Sequence, residues 1–123
     1  NFPGYYEAMK QAERVLPTEA KIGLLWPEAR AYYIPRAYVV DPFGLNSLPE
    51  EMWETSRKLG LTHVLVHRSG LDFQLHRSAD PRLDREAIAA YIEHLAAFLK
   101  EHGRLLPDEH KDYELYMLVK PQL

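Results

Sequence analysis

Two short apolar runs organise the chain. Ala20-Lys21-Ile22-Gly23-Leu24-Leu25-Trp26 begins after Pro17-Thr18-Glu19 and stops at Pro27, and Leu61-Thr62-His63-Val64-Leu65-Val66-His67 begins after Gly60. Runs this short, almost unbroken and bounded by turn formers, are the pattern of strands covered on both faces. A helical segment lies between them, so the pair is expected to be parallel and joined by crossover helices.

The remaining pattern supplies the other layers. In residues 5–16, Tyr5, Ala8, Met9, Ala12, Val15 and Leu16 recur at three and four, which predicts an amphipathic helix stopped by Pro17. Pro27 with strong helix formers behind it predicts one or two helical turns before Pro35. Ala37-Tyr38-Val39-Val40, closed by Asp41-Pro42-Phe43-Gly44, predicts a strand beside the first. Ser47 and Glu50 have capping-box spacing, with Met52, Trp53 and Leu59 on one face and Gly60 at the stop. Residues 71–79 read as a loop with one helical turn at most. Asp80-Pro81 is expected to open a helix running to His102, with Ile88, Tyr91, Ile92, Leu95, Phe98 and Leu99 on its buried face and Gly103 ending it. Residues 104–107 and 113–119 read as two strands, and five intervening residues are too few for a parallel crossover, so these strands should be antiparallel to each other. The expected fold is a three-layer α/β/α domain whose mixed sheet has parallel central strands and a C-terminal antiparallel pair.

Composition narrows the function. The chain has 123 residues, 46% of them hydrophobic, which suits one domain spanning 1–123 with a single core. It has no cysteine, which removes disulfides, thiolate metal sites and cysteine nucleophiles. The 15 basic residues are scattered among 18 acidic ones, a distribution unlike a nucleic-acid footprint. The longest apolar stretch, 88–99, is interrupted by Glu93 and His94 and is shorter than the roughly 20 residues of a membrane helix, so the piece is expected to be soluble. The chain begins Asn1-Phe2-Pro3 without a signal pattern, and the expectation is a fragment of a longer protein.

No self-sufficient catalytic or cofactor motif is present. His63 and His67 face one side of a strand, but their Cα atoms would be about 13 Å apart, too far to share a metal ion. His63 is expected to be a hydrogen-bonded histidine at a strand start. Open α/β sheets place ligand crevices beyond the carboxyl ends of their strands, where the order reverses. That rule selects Trp26, Glu28, Arg30 and Tyr33 after the first run and His67 and Arg68 after the second. The turn after Trp26 lacks the glycines that a pyrophosphate site requires, so no nucleotide cofactor is expected. The competing reading, an exposed helix start with a surface ion pair between Glu28 and Arg30, outweighs a ligand site there. Asp80, Asp84 and Glu86 sit where helix starts attract acids, and Ser69 lacks a nucleophile elbow. Tyr5, Tyr6, Tyr32, Tyr33 and Tyr38 could rim a core or form an aromatic surface.

Leu16-Pro17, Ala20-Lys21-Ile22-Gly23-Leu24-Leu25, Glu28-Ala29-Arg30-Ala31-Tyr32-Tyr33, Leu59-Gly60-Leu61-Thr62-His63-Val64-Leu65-Val66 and Tyr113-Glu114-Leu115-Tyr116 occur in that order. Together they resemble the soluble C-terminal region of bacterial family-39-type, dolichyl-phosphate-mannose-protein mannosyltransferase-like membrane glycosyltransferases. The resemblance implies a domain on the extracytoplasmic side, attached in cis to a transmembrane enzyme that takes sugar from a polyprenyl-phosphate carrier. It also implies that catalytic acids reside in loops between membrane helices, that this domain is not itself an enzyme, and that it contacts lipid-linked sugar or a glycan or protein acceptor. The alternatives are a free-standing small α/β ligand-binding module and a protein-interaction domain.

Overall fold

The computed structural model describes residues 10, 13–25, 36–72, 76, 81, 84–107 and 113–119. Along the chain these form β1 (Lys21–Leu25), β2 (Ala37–Val40), α1 (Pro49–Leu59), β3 (His63–His67), α2 (Arg68–Asp72), α3 (Arg85–His102), β4 (Gly103–Leu105) and β5 (Tyr113–Leu118). The five strands make one sheet in the order β2-β1-β3-β5-β4. β1 is parallel to both β2 and β3, with Leu24 opposite Val40 on one side and Leu65 on the other. β5 is antiparallel to β3 and to β4. The expected mixed sheet is therefore present, and β1 is the strand at which the order reverses.

The covered strands behave as their composition requires. Ile22, Leu24 and Leu25 of β1 and Val64 and Val66 of β3 are all at most 1% exposed. Strand alternation sends neighbouring side chains to opposite faces, and two core clusters result. Leu16, Ala20, Ile22, Leu24, Leu65, Tyr113 and Leu115 pack on one face. Leu25, Phe43, Met52, Val64, Val66 and Phe98 lie on the other, against α1 and α3.

On the first face, residues 13–15 are helical and Leu16 is buried, while Val15, which the periodicity placed on the apolar side, is 42% exposed. Arg36 donates from Nε to the Pro17 carbonyl at 2.8 Å and from Nη2 to the Leu16 and Glu13 carbonyls at 3.0 and 3.3 Å. A cation thus ends the helical segment where carbonyls lack partners. The rest of the expected helix over 5–16, apart from residue 10, and the expected turns over 27–33 fall outside the described residues.

Helix boundaries moved for identifiable reasons. The helix starts one residue later than Ser47 and Glu50 suggested and keeps only half of a capping box: Leu48 is the N-cap, its side chain accepts nothing, and its N–H donates to Glu51 Oε1 at 3.0 Å. Pro49 holds the residue before it in extended backbone, which makes Leu48 the last non-helical position. Ser56, which the apolar pattern passed over, is 1% exposed on the buried face because its hydroxyl donates to the Met52 carbonyl at 2.8 Å.

α1 stops at Gly60, which has φ 70°; its N–H donates to Arg57 O at 3.1 Å, and Leu61 N–H donates to Ser56 O at 2.9 Å. A side chain in that left-handed conformation is strained. Gly60→Ala is expected to destabilise the fold by about 1 kcal/mol, read as a lower urea midpoint without a change in m.

α2 begins immediately after β3, three residues before the segment read as a loop with one helical turn, and Leu71 anchors it in the core at 3% exposure. α3 starts at Arg85, not Asp80, because the Asp84 side chain accepts from Ala87 N at 3.1 Å. It ends at His102 as expected. β4 begins at Gly103, one residue before the expected strand, so helix passes directly into strand. A Cβ at Gly103 would stand 2.8 Å from Leu99 O and 3.2 Å from the Tyr116 ring, so glycine is what allows α3 to turn into the sheet edge. Among the described residues no helix is long and apolar enough to cross a membrane.

Candidate functional site

β1 and β3 are neighbours, as the crevice reading required, with Leu25 opposite Val66 near their carboxyl ends. Trp26, Glu28, Arg30 and Tyr33 lie outside the described residues. The two remaining candidates, adjacent in sequence, part company. His67 is 5% exposed, and its ring stacks on its cross-strand partner Tyr113 at 4.7 Å and 9°. Arg68, the first residue of α2, keeps 47% of its side chain exposed.

His63 starts β3 within a local network. Thr62 Oγ1 lies 2.8 Å from His63 Nδ1 and accepts from Lys21 N at 3.0 Å, while Thr62 N donates to Lys21 O at 2.8 Å. Burial pushes the His63 imidazole below its usual pKa. The hydrogen-bonded role expected for His63 matches this geometry. Among the described residues no group of three or more potential metal ligands converges.

Arg68 instead joins two residues of β5. Glu114 and Tyr116 are two apart on one strand and share a face. Arg68 Nη2 donates to Glu114 Oε1 at 2.5 Å, and the Tyr116 hydroxyl donates to the same oxygen at 2.7 Å. Partial burial opposes the charges, yet the mutual bonds prevail. Burial tends to raise the Glu114 carboxyl, but hydrogen bonds from Arg68 and Tyr116 hold it below the usual range. Burial also tends to lower Arg68, and its hydrogen bond and attraction to Glu114 keep it raised. Tyr116 is pushed up to about 12 by burial first, then by donating to and facing the Glu114 carboxylate.

No member of this trio titrates near neutral pH, so the trio is poorly matched to proton transfer. Its chemistry is recognition, through fixed charge and hydrogen-bond donors. Tyr116→Phe should cost at most about 1 kcal/mol at neutral pH, since it deletes one partly exposed bond. A folded-state pKa raised from 10 to about 12 gives a contribution that is complete below pH 10 and lost as pH rises through 12. The urea-midpoint gap between wild type and Tyr116→Phe should therefore shrink as pH rises from 10 to about 12.

Beside the trio, a cavity of about 340 Å³ opens between α3 and the β3-β5-β4 part of the sheet. Val66, Leu95 and Leu99 form its apolar floor, and Gly103 and Leu105 one wall. Arg68, Tyr116 and Lys100 supply its polar groups. The cavity lies on the face opposite the His67–Tyr113 stack. Glu114, Tyr116 and Lys100 were not singled out in the sequence. Alternation within Tyr113-Glu114-Leu115-Tyr116 puts Glu114 and Tyr116 on one face, but only the β3–β5 pairing brings them to Arg68.

No protein-family model matches the chain, and no curated protein matches it. A solved structure does: the C-terminal globular domain of an oligosaccharyltransferase from Archaeoglobus fulgidus, with TM-score 0.59 and 14% identity over 96% of this chain and 98% of that one. The neighbour does not itself point to the family-39 type that the sequence resembles. At 14% identity the likeness is one of fold, and it extends over the whole of both domains.

Proposed function

We propose that the chain is a non-catalytic extracytoplasmic domain of a polytopic membrane glycosyltransferase that uses a polyprenyl-phosphate-linked sugar. The observation that carries this reading is the end-to-end likeness to a C-terminal globular domain of an oligosaccharyltransferase, 96% of one chain on 98% of the other. The ordered resemblance to the C-terminal region of family-39-type, mannosyltransferase-like enzymes supports it independently of the coordinates. In this reading the sugar-transfer acids reside in loops of the transmembrane part, the partner in cis, and the domain shapes or contacts the acceptor or lipid-sugar side. The contact residues in this reading are Trp26, Glu28, Arg30, Tyr33, His67 and Arg68, which end or follow β1 and β3 in sequence.

The direct test is to extend the reading frame upstream and count apolar segments of about 20 residues. Many spans ahead of Asn1 are expected. A start codon close to Asn1 with no span would overturn the proposal. Single alanine substitutions at Glu28 and Arg30 should lower transfer by the full-length enzyme while leaving the fold intact; a large stability loss would make those residues structural.

A further inference from the structure

We infer that the cavity between α3 and the β5–β4 edge is a binding site for a compact amphipathic monocarboxylate, an aliphatic or aromatic body carrying one carboxylate. The site is separate from the strand-end contact surface proposed above, apart from Arg68, which closes one end of it, and it does not depend on that reading.

Shape and lining define the apolar part of the ligand. At about 340 Å³ the cavity is at the lower end of the range for small-molecule sites, about 300–1,000 Å³. Its floor of Val66, Leu95 and Leu99 offers only apolar atoms to a bound body. Gly103 matters here as well. Its missing side chain leaves the passage from α3 to β4 open beneath the Tyr116 ring, where a Cβ would lie within 3.2 Å.

The charged groups define the head. Arg68, Glu114 and Lys100 carry formal charges of plus one, minus one and plus one, leaving a net single positive charge at the cavity. The Glu114 carboxylate uses Oε1 for both Arg68 and Tyr116. Arg68 gives it one Nη2 contact and also meets the Tyr116 hydroxyl, which leaves most of the guanidinium's N–H donors to a ligand. The Lys100 ammonium, on the exposed face of α3 at the rim, has no partner among the described residues. A planar guanidinium fork with a free ammonium nearby suits a carboxylate. A phosphate monoester, at about −1.5 to −2, would exceed the net charge and crowd Glu114. A carboxylate with an apolar tail would cover the floor while its head pairs with the exposed Lys100 ammonium and the half-exposed Arg68 guanidinium.

Decanoate is the test ligand, kept below its micelle concentration, with decanol and decyltrimethylammonium as neutral and cationic controls. Binding is followed by amide chemical shifts in NMR titrations of the chain. Saturable 1:1 binding is expected, with shifts confined to the end of β3, α3, β4 and β5. Decanoate should exceed both controls by at least about tenfold, the equivalent of one charge-assisted hydrogen bond. Lys100→Glu should weaken decanoate by about that factor and leave decanol unchanged. Ala96→Phe, at an exposed lining position of α3, should block both by filling the cavity while circular dichroism stays that of wild type. Equal binding of the three probes would overturn the carboxylate assignment. Absence of saturable shifts, or shifts centred away from these elements, would overturn the site itself.

Discussion

Phe98→Ala is expected to lower the unfolding free energy by about 3–5 kcal/mol. Phe98 is 0% exposed on the inner face of α3. Its ring meets Phe43 edge-on at 5.4 Å and 72°, and the His102 ring lies 5.7 Å away. It shares a cluster with Met52 of α1 and with Val64 and Val66 of β3, so it ties both helices to the sheet. Truncation removes the ring's transfer energy and leaves a cavity that α1, α3 and the strand cannot all close. Against the roughly 5–15 kcal/mol typical of a whole domain, this is a third or more of the stability. Urea denaturation should show a large fall in midpoint with unchanged m. A loss below about 1.5 kcal/mol would mean that the helical layer is packed more loosely than the structure shows.

Leu24→Ala should cost about 2–5 kcal/mol through the opposite face. Leu24 is 0% exposed in the strand at which the sheet order reverses, between Val40 of β2 and Leu65 of β3. It packs with Leu16, Tyr113 and Leu115, on the side closed by the N-terminal segment. Because Leu24 and Phe98 belong to clusters separated by the sheet, milder substitutions at the two positions should be additive within about 0.5 kcal/mol. Coupling much larger than that in a double-mutant cycle would show that the faces communicate through the strands.

His102 illustrates how far packing departs from residue type. Sequence reasoning treated it only as the last residue of a helix. Its side chain is buried, its ring stacks on Trp53 at 4.1 Å and 9°, and Nδ1 has no hydrogen-bond partner among the described residues. The flat imidazole fits face to face against the indole and beside the Phe98 ring. Nothing in the spacing of α3 distinguishes such a position from one where histidine points to water.

Most of the fold was legible in the sequence because its signals are local. Two dense apolar runs can be accommodated only as covered strands, the residues between them form a helix ended by Gly60, and residues 108–112 are too few to permit a parallel return. Those features alone determined the parallel centre and the antiparallel C-terminal pair, and the spacing of Ile88, Tyr91, Leu95, Phe98 and Leu99 determined the long covering helix. Boundaries were less legible, since Pro49 and Gly103 act through backbone geometry and Asp84 through a side-chain cap, none of which a periodicity registers. His63 at a strand start was expected to be hydrogen-bonded, but that its partner is Thr62 came from the structure. The cavity and its polar groups were decided by tertiary structure alone. Arg68, Lys100 and Tyr116 come from three elements distant in sequence; Arg68 was selected as a strand-end residue, while Lys100 and Tyr116 by themselves read as an ordinary surface and strand residue. Antiparallel pairing of β5 with β3, and the glycine that folds α3 onto β4, bring them around one apolar floor, and no one-dimensional pattern encodes that convergence.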